Sequence, residues 1–272
     1  MKSLTLLALF LATSTLASTS ALATDYQSFT SLDYLNIDTP QINQNVYSLS
    51  SIYFLDKKLS LGPLNEFEYI NKTSNIFGQF SDMDNANTYG LGGEMFINKW
   101  LVGGSYNYID HNNGSDDTYA LTLGYLLSDN LLVKAEANKE GSDTFYQFSA
   151  AYNHQINDSD YIGFTYSTDD KFDSQTLSSK YFIAVGADQY LSLGASYTNN
   201  DGWDNNLAAI ARFYFNNYTS ISASYNDDDD YSISAKHFIN KNYSVSAGYN
   251  SNASSNDNED YDLYSLNFTA QF

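Results

Sequence analysis

Apolar residues recur at every second position along most of this chain. In the stretch 262–272, "DLYSLNFTAQF", the apolar positions are Tyr264, Leu266, Phe268, Ala270 and Phe272, and mostly polar residues stand between them. The stretches 118–127 and 243–249 have the same period. Because successive side chains of a strand point to opposite faces, this period predicts strands with one apolar and one polar face. After residue 23, no stretch keeps the 3.6-residue period of an amphipathic helix.

The alternation predicts sixteen strands. They are expected at 26–37, 45–55, 74–81, 88–97, 100–110, 118–127, 131–139, 144–156, 161–167, 176–186, 190–198, 207–215, 218–225, 231–239, 243–249 and 261–272. Fourteen or eighteen strands stay open, because the stretch 57–73, "KKLSLGPLNEFEYINKT", lacks a clear alternation. It either extends the third strand or forms a long turn around Gly62-Pro63. Proline lacks a donor for the strand ladder, which favours the turn.

The connections between these strands fall into two sets. The short set comprises 98–99, 128–130, 157–160, 187–189, 216–217 and 240–242. The longer, acidic set comprises 111–117, 168–175, 199–206, 226–230 and 250–260. Short turns on one side and longer loops on the other are typical of outer-membrane barrels, with the short turns in the periplasm and the loops outside the cell.

An antiparallel strand set with an apolar face predicts an all-β, transmembrane, closed β-barrel. In the bilayer core no water satisfies backbone groups, so a sheet spans it only by closing without an edge. The last strand is therefore expected to pair with the first, with Phe272 in the aromatic girdle at the membrane boundary. A secreted β-sandwich or β-solenoid is the alternative, but the outward positions are too uniformly apolar for a solvated face.

The first 23 residues carry a lysine, an apolar run over 4–11 and an Ala-x-Ala ending at Ala23. This pattern predicts a cleaved signal peptide, 1–23, followed by a single barrel domain, 24–272, exported to the outer membrane. A short spanning or core helix is the alternative, but the run is shorter than the ~20 residues that a spanning helix needs.

The composition is low in charge and strongly acidic. Charged residues make up 16% of the chain, below the roughly one quarter of an ordinary soluble domain. The net charge of −20 argues against a nucleic-acid partner and favours cations near the protein. The chain has no cysteine, which excludes disulfides and thiolate chemistry.

A sixteen-stranded barrel has a lumen too wide for side chains to fill, so a water-filled pore is expected. The charged residues at inward strand positions are the candidate pore-lining groups: Glu94, Lys134, Glu136, Arg212 and Lys236. Arginine on the lipid face costs about 2–4 kcal/mol at mid-depth, so Arg212 is expected to point inward. There it either sets ion selectivity or pairs with an acid that rigidifies the wall. Lys134 and Glu136 are expected to neutralise each other.

The sequence shows no catalytic, cofactor-binding or metal-binding motif. The three histidines, His111, His154 and His237, have no recognisable serine partner of the kind that barrel lipases use. The acidic runs at 169–173, 227–230 and 257–262 lie in predicted loops. They either bind divalent cations and bridge to lipopolysaccharide or simply solvate the loop tips, and the second interpretation is favoured because none has EF-hand spacing.

Two features resemble known outer-membrane proteins. The alternating apolar positions that end at Phe272 resemble the assembly signal of Gram-negative barrels. The stretches "GPLNEFEYINKTSN" at 62–75 and "YGLGGEMFINKWLVGGSYNYID" at 89–110 resemble a family of small outer-membrane porins of Gram-negative bacteria. Gly62, Pro63, Leu64 and Glu66 match a Gly-Pro-Leu-x-Glu element of that family, without an assigned role. The resemblance implies passive diffusion of small solutes.

The sequence therefore predicts a porin for small hydrophilic solutes and ions with a weak preference for cations. A substrate-specific channel, for example for oligosaccharides, and a structural or adhesive barrel are the alternatives. The expected partners are outer-membrane lipid, lipopolysaccharide and the barrel-assembly machinery. Monomer and homotrimer both stay open.

Overall fold

A computed structural model describes residues 24–157, 159–252 and 260–272, so the expected signal peptide and part of the 257–262 acidic run lie outside the described residues. The described chain forms sixteen antiparallel strands in one closed barrel. They are β1 (Asp25–Asp38), β2 (Asn43–Leu59), β3 (Asn75–Met83), β4 (Ala86–Ile97), β5 (Trp100–His111), β6 (Gly114–Ser128), β7 (Leu131–Glu140), β8 (Asp143–Gln155), β9 (Tyr161–Asp169), β10 (Ser174–Gly186), β11 (Gln189–Asn200), β12 (Asn206–Asn216), β13 (Thr219–Asn226), β14 (Asp230–Phe238), β15 (Tyr243–Asn252) and β16 (Asp262–Gln271).

The barrel closes between its first and last strands. Their antiparallel register runs from Asp38 opposite Asp262 to Phe29 opposite Gln271. Beyond the last ladder pair, the Phe272 N–H donates to the Ser28 carbonyl at 2.9 Å, and the Ser28 N–H donates to the Phe272 carbonyl at 2.8 Å. The predicted strand number and closure are thus confirmed. Each strand pairs with its neighbours along the chain, and β1 also pairs with β16.

The two faces of the wall differ in chemistry, as the alternation predicts. In β6, Leu121 is 70% exposed on the outer face, whereas Thr122 is only 9% exposed on the inner face. The outer face carries aromatic residues toward both ends, among them Trp100, Phe215 and Phe272 at one end and Tyr89, Tyr197 and Tyr225 at the other. Such a belt is the outer surface of a membrane barrel. Within the described residues, no helix has the length and hydropathy of a membrane span.

We call the end where Thr24 and Phe272 lie the termini end, and the opposite end the loop end. At the loop end the connections are shorter than expected from the sequence. The predicted loop 111–117 shrinks to 112–113, because β6 already begins at Gly114. The predicted loop 199–206 shrinks to 201–205. Polar and charged residues here continue the ladder beyond the apolar belt, where alternation no longer marks the strand.

The largest departure from the sequence-based expectation is the connection between β2 and β3. Residues 60–74, which we call the inserted segment, neither extend β3 nor form a turn outside the barrel. They fold back into the lumen at the termini end, where Leu64, Phe67 and Ile70 are each no more than 4% exposed. The physical reason is that a wide barrel leaves inward-facing apolar side chains exposed, and this segment covers them.

Most buried apolar residues of the described chain gather in three clusters at the termini end, whereas Val46 is buried at the loop end. One joins Ile70 to Leu101, Leu126 and Leu132. The second comprises Tyr161, Phe182, Tyr190 and Tyr214, and the third joins Tyr26 to Phe67. The inserted segment contributes to or packs against each cluster, so it acts as the core of this end of the barrel.

Candidate functional site

The inserted segment begins with a tight turn. Gly62 has a φ of 131°, a conformation that residues with a Cβ rarely adopt. Pro63 follows with its φ fixed by the ring. The Glu66 N–H donates to the Pro63 carbonyl at 3.0 Å, and the Leu61 N–H donates to the Glu66 carbonyl at 3.1 Å. This turn reverses the chain and directs the Glu66 side chain into the barrel.

The inserted segment crosses the lumen between opposite walls. On one side, the Leu64 N–H donates to the Asn217 carbonyl at 2.9 Å, and Gln271 Nε2 donates to the Leu64 carbonyl at 3.1 Å. On the other side, Ile70 packs with Leu101 and its neighbours of β6 and β7. The inserted segment is therefore anchored on two opposite walls and divides this end of the lumen.

Glu66 is the centre of the anchor. Its side chain is fully buried, and its carboxylate forms an ion pair with Lys180 and accepts a hydrogen bond from the Tyr214 hydroxyl. The Tyr161 hydroxyl donates to the same carboxylate at 3.3 Å. Three donors from β9, β10 and β12 thus satisfy one buried charge, as burial of a charge requires. Arg212 adds a further positive charge within electrostatic range of Glu66.

Tyr69 is fixed against the wall of β9. Its hydroxyl makes a 2.7 Å hydrogen bond with Thr165 Oγ1. Its ring lies directly over Gly163, where an added Cβ would come within 2.4 Å of ring carbons. Only a residue without a side chain permits this close approach, so Gly163 and Thr165 together position the ring.

Two cavities lie on either side of Tyr69. The larger, about 1120 Å³, extends through the middle of the barrel and is lined by many serines of β10 to β16. The smaller, about 570 Å³, lies at the termini end between the inserted segment and the turns at 129 and 156–157. Tyr69 lines both cavities. The ring therefore stands between two spaces that follow one another along the barrel.

The structure places the five predicted lumen charges in two groups. Arg212 and Lys236 line the larger cavity, so the expected inward orientation of Arg212 is found. Glu94 and Lys134 lie 3.8 Å apart on the opposite wall. Lys134 thus pairs with Glu94 rather than with Glu136, because Glu94 reaches it across the inner face from β4. Glu136 instead accepts hydrogen bonds from Thr122 at 3.1 Å and Asn138 at 2.8 Å.

Sequence reasoning missed four lumen groups of the described chain: Asp33, Lys58, Glu66 and Lys180. Glu66 lies in a segment without alternation, and only its match to the Gly-Pro-Leu-x-Glu element marked it. Lys180 lies two residues after Ser178 in β10, so both side chains face the lumen. Lys180 could therefore have been identified from the alternation of strand positions. Tyr214 lies two residues after Arg212 in β12, so its ring also faces the lumen. An aromatic ring in a polar lumen must be covered by other residues, and this could have indicated the inserted segment.

Two acids of the loop end have structural partners on the adjoining strands β12 and β13. In the run 227–230, Asp227 accepts a hydrogen bond from the Leu207 N–H at 2.7 Å, and Asp229 accepts one from the Tyr225 hydroxyl at 2.6 Å. Within the described part of the chain, no group of three or more metal-ligating side chains could hold a metal ion. Of the histidines, His111 pairs with Asp116 at 3.0 Å, and His237 pairs with Thr219 at 2.9 Å.

Several solved outer-membrane proteins share this fold. The outer membrane protein Omp33 of Acinetobacter baumannii is 19% identical, with a TM-score of 0.57 over 91% of this chain and 99% of that one. OpdQ of Pseudomonas aeruginosa is 10% identical, with a TM-score of 0.52 over 91% and 98%. A mutant of the Rh. blastica porin is 9% identical, with a TM-score of 0.51 over 92% and 100%. At these identities the likeness shows the fold.

No curated protein matches the chain by sequence. One family model, described as "Putative general bacterial porin", matches residues 1–272. The match covers the inserted segment and all sixteen strands, so the resemblance noted from the sequence is confirmed. The chain therefore belongs to the family of general bacterial porins that this description names.

Proposed function

We propose that this protein is a diffusion channel of the outer membrane for small hydrophilic solutes and ions. The observation that carries the proposal is the pair of cavities that meet at Tyr69 inside a closed barrel. A solute would cross the serine-lined cavity, pass the inserted segment beside Tyr69 and leave through the smaller cavity. No covalent chemistry is required of any residue on this route.

The lining of the larger cavity supports passive passage. Its serine hydroxyls already pair with one another, as Ser222 does with Ser234 at 2.7 Å, and hydroxyls both donate and accept hydrogen bonds. Such hydroxyls can replace some of the water molecules bound to a solute, and they do not select solutes of one particular shape. This argues for a general pore over a channel for one oligosaccharide, which would need a line of aromatic or charged contacts.

The orientation we propose puts the termini end in the periplasm and the loop end outside the cell. An antibody against a tag inserted in 226–230 should label intact cells, and one against a tag in 216–217 should not. The reverse labelling would overturn this orientation.

Weak cation preference is the selectivity we propose. Among the described residues, the lumen bases Lys58, Lys134, Lys180, Arg212 and Lys236 are nearly balanced in number by the acids Asp33, Glu66, Glu94 and Glu136. The acids at the loop end, such as Asp227 and Asp228, are not balanced in this way. An entering ion therefore meets a negative mouth, whose field the low-dielectric wall focuses.

Single-channel recording in planar bilayers tests the function. The purified protein should give discrete current steps, and Tyr69→Ala should raise the conductance because it removes the ring between the two cavities. Tyr197→Ala is the matched control, because Tyr197 is exposed on the outer face and should leave conductance unchanged. Absence of steps from folded wild-type protein would favour a structural or adhesive barrel.

Assembly through the barrel-assembly machinery is the remaining part of the proposal. Phe272 is 56% exposed on the outer face and packs edge-on against Tyr243, with ring centroids 5.7 Å apart. Deleting Phe272 should reduce the amount of folded, heat-modifiable barrel while export across the inner membrane continues. Normal amounts of folded protein from the deletion would contradict an assembly role.

A further inference from the structure

The positive charges of the lumen are concentrated on one side of the barrel, although acids and bases are nearly equal in number over the whole lumen. Lys180, Arg212 and Lys236 project inward from β10, β12 and β14, and all three line the larger cavity. The intervening strands contribute serine next to them. Arg212, for example, stands between Ser192 of β11 and Ser222 of β13 in the sheet register.

Only one of these three cations is neutralised by an ion pair. Lys180 pairs with Glu66, whose carboxylate also serves two tyrosines. Among the described residues, neither Arg212 nor Lys236 has a carboxylate oxygen within 4.0 Å. The acid facing Lys236, Asp33, instead accepts a 2.7 Å hydrogen bond from Asn267. Two positive charges within electrostatic range of each other therefore face an open cavity.

The hydroxyl groups around these two cations add neutral hydrogen-bonding capacity. Five serines of β11, β13, β14 and β15 line the same cavity: Ser192, Ser220, Ser222, Ser234 and Ser246. An arginine fork can bind a carboxylate through two parallel hydrogen bonds, and the lysine adds a point charge. The site thus combines strong anion donors with partners for hydroxyl groups.

We propose that Arg212 and Lys236 form a binding site for small carboxylates that also carry hydroxyl groups. The carboxylate binds between the two cations, and the solute's hydroxyls exchange hydrogen bonds with the serines. This proposal rests on the proposed function and extends it, because it names a class of solute that binds inside the pore. The acidic mouth acts over long range in dilute salt, whereas this site acts by contact inside the lumen.

Calorimetric titration of the folded protein in detergent micelles tests the site with gluconate as the probe. Gluconate should bind, glucose should not because it lacks the charge, and acetate should bind more weakly because it lacks hydroxyls. The double variant Arg212→Gln/Lys236→Gln should weaken gluconate binding by about tenfold or more, the effect of losing charge-assisted hydrogen bonds. Lys134→Gln is the matched control on the opposite wall and should bind as the wild type does.

Each outcome decides the inference. Undetectable gluconate binding to the wild type, or equal binding by the double variant, overturns the site. Equal affinity for acetate and gluconate overturns the role of the serines. If the double variant does not fold, Lys236→Gln alone should still lower the affinity, and wild-type affinity there counts against the proposal.

Calorimetry also separates this inference from the proposed function. Current steps without gluconate binding would leave the pore standing and remove the site. Gluconate binding without current steps would support the site and reject the diffusion channel. In a working channel, gluconate added to the bath should lower the wild-type current more than glucose does.

Discussion

The inward-facing residues of the wall differ between the termini end and the rest of the barrel. At the termini end, inward positions carry large apolar residues such as Leu101, Phe182 and Tyr214, and the inserted segment covers them. Through the middle and toward the loop end, inward positions carry serine, threonine and asparagine around an open cavity. The wall therefore sets the maximum width of this lumen, and the connection between β2 and β3 sets its narrowest part.

The energetic terms also differ between the two regions. Fully burying side chains such as Leu64, Phe67 and Ile70 contributes about 1.5–3 kcal/mol each. In the polar region, paired hydroxyls such as Ser48 and Ser81, 2.7 Å apart, satisfy one another and contribute about 0.5–1.5 kcal/mol per bond. The inserted segment is therefore a firmly held part of the fold, and the polar region depends on the strand ladders for its shape.

Replacing the inserted segment should have the largest effect. The Leu55 N–H donates to the Ser74 carbonyl at 2.8 Å, so these residues are close enough to be joined by a two-residue hairpin. Substituting Asn-Gly for residues 56–73 removes the last four residues of β2 and all of the inserted segment except Ser74. This change should remove the obstruction and raise single-channel conductance more than any point variant. Lys99→Gly, which creates an Asn-Gly turn between β4 and β5, is the control. Unchanged conductance in the replacement would show that the inserted segment does not limit flow.

Glu66→Gln should loosen the inserted segment. Removing one partner of a buried ion pair costs about 3–5 kcal/mol, and the cost is lower here because the Lys180 side chain keeps 21% exposure. Faster amide hydrogen exchange across 60–74 is expected, while exchange in the strand ladders stays slow. Glu68→Gln is the control, since its pair with Lys72 at 3.1 Å is exposed and contributes at most about 1 kcal/mol. Equal exchange in both variants would contradict the anchoring role of Glu66.

Gly163→Ala should have an intermediate effect. The new methyl group would overlap the ring of Tyr69, so the ring must leave its place beside Thr165 and alter the passage between the cavities. A changed conductance in planar bilayers is the readout. At Gly78, which lines the larger cavity, an added Cβ would meet a backbone oxygen only at 3.7 Å. Gly78→Ala should therefore behave like the wild type, and equal behaviour of the two variants would argue against a fixed Tyr69.

Neutralising the 227–230 acids should have the smallest effect and should appear only in dilute salt. Asparagine keeps an acceptor oxygen for bonds such as that from the Leu207 N–H to Asp227, so the loop should keep its shape. Replacing all four aspartates by asparagine should lower the cation preference measured by reversal potential at 0.01 M salt. The effect should fade at 1 M, because the Debye length falls from about 30 Å to about 3 Å. If the wild type prefers anions in dilute salt, the acids at the loop end do not set the selectivity. Arg212 inside the lumen would then be the first residue to test.

The wall of this barrel could be predicted from the pattern of residues along the chain. A two-residue period is a local property of each strand, so the alternation in stretches such as 118–127 and 264–272 was enough to predict sixteen strands, their lipid-facing residues and closure. The cost of placing Arg212 in lipid likewise fixed its inward direction. Strand ends beyond the apolar belt were less predictable, because at 114–117 the ladder continues through polar residues that show no alternation.

The arrangement of side chains inside the barrel depends on contacts between residues far apart in the chain. Glu66 meets Tyr161, Lys180 and Tyr214 across 95, 114 and 148 positions of the chain, and no local pattern encodes such contacts. The same holds for Tyr69 over Gly163 and for the pairing of Lys134 with Glu94 rather than with Glu136. Periodicity specifies which face a residue occupies, but the curvature of the closed barrel determines which inward residues meet, and therefore where this lumen is blocked, charged or open.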